Sequence, residues 1–481
     1  MKIGLCRTPP NFLLRKITMS TKKYDAVIIG AGPAGIYAAY EFIKLNSKLK
    51  ICILEKGRRI DKRVCPIGAG KISSCAHCKV CDIMSGFGGA GGFSDGKYNI
   101  TNNFGGNLYS YVGDREAIEL MQYVDAVNME MGGADCKLYS TINSDIKRDA
   151  LRHDLHLLDA RVRHLGTDTN KIILANLYDF IKDKVEIFFE TEVLSVTCEN
   201  KDSGPYHIET ASDEYICDKA ILAVGRSGSK WFGQVAKSLG IETRSNKVDI
   251  GVRVELPALV FEHLTNDTHE VKICYRTKAH GDVVRTFCMN PYGIVVSENT
   301  NGIVTVNGHS YREKDKHTEN TNFALLVSNT FSEPFNDSNA YGEHIARLSN
   351  MLSGGVMVQR LSDLMKGRRT TAHRLSQSFV KPTLDATPGD LSLVIPKRQL
   401  DDIIEMINAL ENIAPGTANG DTLLYGVEVK FYNSTVKVDN NFETKCRGLY
   451  VIGDCGGTSH SLSVAASEGV YCARTISKLY E

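Results

Sequence analysis

The chain has 481 residues, 42% hydrophobic and 23% charged, with a formal net charge of +1. That length accommodates two or three domains with a large core, and the balanced charge leaves no whole-chain footprint for nucleic acid or an anionic membrane surface. No apolar run reaches the roughly 20 residues of a membrane span, and the 14 cysteines, mostly scattered singly, read as the reduced thiols of a cytoplasmic protein rather than a secreted disulfide framework.

Residues 1–18 contain Lys2, Arg7, Arg15 and Lys16 and no acid, which suits either an organellar presequence or an extension ahead of Met19. Residues 1–23 are therefore set apart as an N-terminal extension. Residues 24–35, YDAVIIGAGPAG, organise the rest of the chain. Residues 26–29 are an apolar run suited to a strand buried on both faces, and they lead into Gly30, Gly32, Pro33, Ala34 and Gly35. Gly30 permits the tight turn, Gly32 lets backbone approach a pyrophosphate, and Gly35 allows close packing of the next helix, whose first amides face the phosphates. A second strand, residues 51–54, ends at Glu55 and Lys56, placing a carboxylate where a dinucleotide ribose hydroxyl is held.

Between residues 58 and 113 the composition changes to four cysteines and then SGFGGAGGFSDGKYNITNNFGG, a stretch expected to be neither regular helix nor strand. Its glycines, Gly88 and Gly89 among them, can bring backbone amides close to a ligand, and it comes after the first βαβ unit, where the flavin end of an FAD would lie. Phe87, Phe93 and Tyr98 supply apolar anchors that a flexible linker lacks. Cys65, Cys75, Cys78 and Cys81 have the spacing of an iron–sulfur ligand set. The same sulfurs, or three of them with His77, could close a zinc site, two could form a redox dithiol, or all could be unliganded thiols; spacing leaves the four readings open.

Helical spacing predicts helices over residues 114–131 and 172–181, and alternation predicts strands over 184–196 and 215–224. These strands fit an antiparallel meander on the dinucleotide sheet, with Val193 a candidate cofactor contact, and the second closes on a glycine turn at Gly225 that resembles the one passing close to the cofactor in two-dinucleotide-domain flavoproteins. From 248 to about 420, strand-like VDIGVRVEL, VKICYRT, TFCMNPYGIVVS and GIVTVNG precede helical stretches at 322–329, 343–351 and 400–412. Strands followed by helices point to an inserted α+β domain. Its basic group, Lys366, Arg368, Arg369, His373 and Arg374, either receives a substrate carboxylate or phosphate or forms a solvated charged face.

The last segment returns to dinucleotide-binding sequence. Residues 448–452 form a buried strand with Gly453 and Asp454 at its end, and residues 459–479 a helix with one apolar face. Asp454 would accept a hydrogen bond from a ribityl or pyrophosphate-side hydroxyl, and the helix start at Ser461 and Leu462 would aim amides at the flavin pyrimidine, where reduced flavin is negative. His460 is the candidate proton donor, histidine being the side chain that changes charge near neutrality; it otherwise packs the helix start. Lys430 either reaches the flavin or pairs near Glu428.

The expected fold class is α/β: a discontinuous FAD/NAD(P)-binding Rossmann-like domain from residues 24–250 and 420–481, with an α+β substrate or cap domain at 251–419. GAGPAG with Glu55, CxxCxxC leading into SGFGGAGGFSDGK, HLGTD at 164–168, AVGRSG, VDIGVRVE and YVIGDCGGTSHSLSVAASEGV together resemble the uncharacterised FAD-dependent dehydrogenases of the glutathione-reductase-like FAD/NAD(P)-binding superfamily, over residues 24–479. The resemblance implies bound FAD and a redox role and names no substrate. Residues 290–293, NPYG, depart from it where relatives carry a glycine pair after the proline. Without a second dinucleotide fingerprint, electrons are expected from transiently bound NAD(P)H or a redox partner. The expected function is a FAD-dependent oxidoreductase moving hydride between flavin and a small organic substrate; the alternative is thiol-disulfide or iron–sulfur-linked electron transfer.

Overall fold

The computed structural model describes residues 20–480 apart from 67–68, 73–75, 77, 143–144, 203, 269–270, 301, 312–313 and 336, so the basic leader, Cys75 and His77 lie outside the described residues. Strand β1 (Ser20–Ile29) begins earlier than its apolar run because its polar first half pairs with residues 213–217 of a later strand. Helix α1 (Pro33–Lys44) starts with proline at its first position, where no amide hydrogen is needed. Then come β2 (Ile51–Leu54), helices α2 (Asp114–Asn128) and α3 (Gly166–Ile181), and strands β3 (Glu186–Phe188), β4 (Val193–Cys198), β5 (Tyr206–Thr210) and β6 (Asp213–Leu222).

Strands β3, β2, β1 and β6 are parallel neighbours in that order. The first half of β6 also pairs with β5, which pairs with β4, completing the antiparallel meander within the same sheet. Ala26 and Ile28 face a core containing Tyr37, Val124 and Val470, whereas Val27 and Ile29 face one containing Phe232 and Leu239. Both faces being covered there, residues 26–29 are apolar throughout rather than alternating.

Two local expectations fail here. Residues 184–196 are two strands: Glu190 takes the left-handed conformation (φ 52°), and its amide donates to the Gly57 carbonyl while that of Thr191 donates to the Glu55 carbonyl. β3 therefore lies beside β2, and β4 lies at the opposite edge of the sheet. Within the glycine-rich stretch, Lys97–Ile100 is a strand with Tyr98 and Ile100 buried, paired with Arg161–His164.

The second sheet is built on β7 (Val248–Pro257), β8 (Val283–Asn290) and β9 (Asn320–Asn329), with helix α4 (Lys397–Leu410) against it and strand β10 (Leu423–Phe431) closing its core. Its order is Thr387–Pro388, Met357–Arg360, β10, β7, β9, β8, Ile273–Arg276 and Leu155–Leu157, antiparallel except at the first pair. Residues 322–329 are thus strand, not helix. NFALLVSN sits mid-sheet with residues 320–327 all buried, and an apolar run covered on both faces shows neither period that separates the two structures. Leu155–Leu157 and β10 come from outside 251–419, so the sheet reaches past both expected boundaries of the inserted domain.

Along β7 the even positions, Val248 to Leu256, join the core with Ile403, Met406 and Ile407 of α4. Asp249, Arg253 and Glu255 point to the other face, yet each is fully buried. The chain then returns to the first sheet as β11 (Leu449–Val451), parallel to the second half of β6, and ends with helix α5 (Leu462–Ser477). α5 crosses α1 so closely that a Cβ at Gly469 would sit 2.1 Å from the Ala34 carbonyl oxygen. Among the described residues no helix is long and apolar enough to cross a membrane.

Candidate functional site

Register places Ile29, Leu54, Leu222 and Val451 in one row across β1, β2, β6 and β11. The segments after them leave the sheet along one carboxyl edge, the edge where open α/β sheets hold ligands. Gly30, Gly32, Pro33, Ala34, Glu55, Lys56, Gly225, Gly453 and Asp454 come from these segments and line one cavity of about 1070 Å³. Gly89, Val193, His460, Ser461 and Leu462 line it as well, and its far wall is the second sheet.

The glycines divide by what surrounds them. A Cβ at Gly30 (φ 105°) would lie 2.5 Å from the Ala223 carbonyl oxygen, and one at Gly35 would lie 2.0 Å from the Gly30 carbonyl oxygen, so these two serve the turn and the helix–strand contact. Cβ positions at Gly32 and Gly225 meet no atom within 4 Å, leaving backbone open toward the cavity. Gly89 backs onto Gly32, whose Cα a Cβ at Gly89 would meet at 3.0 Å. Gly35 and Gly88 stand behind the wall, the Gly88 amide donating to the Ala31 carbonyl at 2.8 Å.

Glu55 is buried, and its carboxylate accepts three backbone amides: Ala31 at 2.8 Å, Gly57 at 2.8 Å and Gly86 at 2.9 Å. It thereby ties the glycine turn to the glycine-rich loop while keeping acceptor capacity on the oxygen that takes one amide. Asp454 receives the Arg226 guanidinium at 3.0 Å. Burial pushes its carboxyl up, but Arg226 and His460 outweigh this and hold it below the usual carboxylate range. His460 lies with Nδ1 3.7 Å from the Asp454 carboxylate and its ring edge-on to Tyr432, centroids 4.6 Å apart. Ser461 caps α5, its Oγ accepting the Val464 amide at 3.2 Å.

Two helix N-termini, an open glycine turn and a carboxylate at each end of the row form a donor set that fits an extended dinucleotide diphosphate such as FAD. Gly32, Pro33 and Ala34 with the α1 amides would hold the diphosphate, Glu55 a ribose hydroxyl, and Asp454 with the α5 amides the flavin side.

The remaining candidates lie apart from this donor set or at its margin. Cys65 is half-buried, and Cys78 and Cys81 are exposed; among the described residues no three His, Cys, Asp or Glu converge to hold a metal ion. Lys366, Arg368, Arg369, His373 and Arg374 do not line the cavity; Arg368 binds the buried Asp363 at 2.8 Å and Arg374 lies 3.9 Å from it. Lys430 stands 3.3 Å from Glu428, the pairing expected of it, and lines the cavity.

Sequence reading missed Arg226, the Asp249–Arg285 pair, Tyr432 and Glu468. AVGRSG contains Arg226 in plain view, one residue past the open glycine. Nothing in VDIGVRVE distinguishes buried acids from the solvent face of an alternating strand.

The fold is thus a Rossmann-like α/β domain of the FAD/NAD(P)-binding kind carrying an inserted α+β domain. Residues 247–431 match the family model described as FAD-dependent protein, C-terminal domain-like. Over 38 residues the chain is 58% identical to an uncharacterised protein of Methanosarcina barkeri (strain Fusaro / DSM 804), a match covering 8% of this chain and 9% of that relative. Among solved structures it is similar to glycine oxidase from Geobacillus kaustophilus, with 12% identity, 95% of each chain covered and a TM-score of 0.39. It is similar also to E. coli quinol fumarate reductase FrdA, with 15% identity, 96% of this chain and 71% of that one covered and a TM-score of 0.41.

Proposed function

We propose that the protein is a FAD-dependent oxidoreductase of the glutathione-reductase-like superfamily, transferring hydride between flavin and a small organic substrate held under the inserted domain. The observation that carries this reading is the convergence of Gly32, Glu55, Gly225 and Asp454, from four separate segments, on one cavity that continues to the second sheet. FAD, when bound, supplies the two-electron hydride chemistry. The chain's own residues position it, close the space with the cap sheet, and handle the proton that accompanies each hydride. His460 is the residue proposed to hold that proton, because it lines the cavity and touches both Asp454 and Tyr432. Electrons come from transiently bound NAD(P)H or a redox partner. The inserted domain is proposed to run from 247 to 431, the span of the family match.

Reconstitution with FAD, and then anaerobic titration with dithionite, tests the reading. One flavin per chain accepting two electrons is expected; colourless protein that takes up no FAD overturns it, and uptake beyond two electrons reports a second centre at the cysteines. Two glycine variants separate binding from folding. Gly32→Ala adds a methyl to open space at an ordinary φ of −78°, so its thermal midpoint should hold while FAD retention falls. Gly35→Ala drives a Cβ into the Gly30 carbonyl and should cost about 3 kcal/mol of stability, seen as a lowered melting midpoint.

A further inference from the structure

The cap wall of the cavity carries a one-sided charge. Lys430 is in register with Asp249 across β10 and β7, and Cys274 with Arg285 across Ile273–Arg276 and β8. Residues two apart on a strand share a face, and Arg285 and Phe287 both line the cavity. Three cations surround the Phe287 ring: the Arg285 guanidinium at 4.8 Å from its centroid, the Lys272 ammonium at 5.0 Å and the Lys430 ammonium at 5.3 Å. Lys247 stands 5.1 Å over the neighbouring Tyr432 ring.

Two fully buried carboxylates lie behind this wall, and each already has an arginine. Asp249 holds Arg285 at 2.5 Å and also accepts from Tyr432 and Ser328. Glu428 is held through both oxygens by Arg253 at 2.7 Å. Lys430 shares Glu428 with Arg253, standing 3.3 Å from it, so Lys430 and Lys247 make the cations outnumber these two carboxylates. Among the described lining residues the acids are Glu55, Asp95, Glu192 and Asp454, all outside the second sheet. Cations gathered on one wall repel one another, and aromatic faces offset this only in part. An anion between them removes the repulsion.

We infer that this wall receives a small organic carboxylate, its carboxylate group between Lys247 and Lys430. The inference rests on the proposed function and names the substrate class of that site. Lysine ammonium groups suit such a ligand as point charges without demanding one fixed geometry, and the neighbouring rings of Phe287 and Tyr432 cover its carbon skeleton.

Isothermal titration of the FAD-loaded protein at low salt tests this, with succinate, benzoate, succinamide, benzamide, inorganic phosphate and NADP⁺ as probes. A carboxylate should bind at least about tenfold more tightly than its amide, with affinity falling as salt is added. Lys247→Gln and Lys430→Gln should each weaken that binding about tenfold. Amides that bind as well as the acids, or variants that bind carboxylate as the parent does, overturn the inference. Tight binding of NADP⁺ and phosphate, but of neither carboxylate, overturns it as well and assigns the cations to a nucleotide phosphate. Flavin content is read separately, by absorbance after denaturation. Protein lacking FAD would sink the proposed function, while its heat of carboxylate binding would still decide this point.

Discussion

Replacing Arg253 with methionine should destabilise the inserted domain by about 3–5 kcal/mol, the usual cost of leaving one member of a buried ion pair without its partner. Arg253 is fully buried at the centre of the second sheet. All five of its N–H groups are used: Nε and Nη2 donate to the two Glu428 oxygens at 2.7 Å, Nη1 to Asn322 at 2.9 Å and to the Cys288 carbonyl at 3.1 Å, and Nη2 also to Asn307 at 3.0 Å. The substitution removes every one of these bonds and leaves the Glu428 carboxylate with Lys430, at 3.3 Å, as its charged neighbour. That residual contact places Arg253→Met toward the lower end of the range. The pair is needed because of its partners more than for its own attraction, so Arg253→Met combined with Glu428→Leu should recover much of the loss. The single variant should lower the thermal midpoint by roughly 10 °C and the double variant by clearly less. Equal midpoints for the single variant and the parent would show that the network contributes no stability.

The same residues explain what the sequence made readable. The glycine turn, Glu55, Gly225 and Asp454 were legible because each is bound to local chain geometry: a tight turn after an apolar strand, an acid at a strand end, a glycine where a buried strand closes. Their convergence is then a consequence of parallel pairing in one sheet. The second sheet was less legible because its decisive contacts join distant strands. Arg253 meets Glu428 across 175 residues, and Asp249 meets Tyr432 across 183. No local periodicity encodes such pairs. β9 was misread for a related reason, since its neighbours on both sides and both faces remove the alternation that marks a half-buried strand. The cap wall's charge belongs to the same class: Lys247, Lys272, Arg285 and Lys430 are unremarkable singly and acquire meaning when four separate segments bring them to one cavity.

Between pH 5 and 8 the protein should lose stability that Glu468→Gln retains, by roughly 4 kcal/mol at pH 8. Glu468 lies on α5, fully buried, with one oxygen accepting the Gly453 amide at 2.6 Å. Burial pushes its carboxyl up to about 8 from an ordinary value of 4.5, and the negative Asp454 adds to the rise. Tyr111, Cys455 and Cys472 are its other titratable neighbours, and burial raises each of them too, so none supplies a positive charge. The two carboxyls are therefore driven apart: Asp454 has Arg226 and ionises readily, whereas Glu468 has no cation beside it among the described residues and stays protonated. In the unfolded chain Glu468 gives up its proton near pH 4.5, but in the folded chain it keeps it until about pH 8. The folded state then binds more protons throughout that window, so stability falls as pH rises, by about 1.4 kcal/mol per unit, and flattens above the folded pKa. Glutamine offers the same acceptor to Gly453 and does not titrate. Parent and variant should melt together near pH 5 and separate progressively toward pH 8, the variant being the more stable. Denaturation curves collected at half-unit intervals check this, and parallel dependence of the two proteins on pH would show that Glu468 ionises in the fold as it does in water.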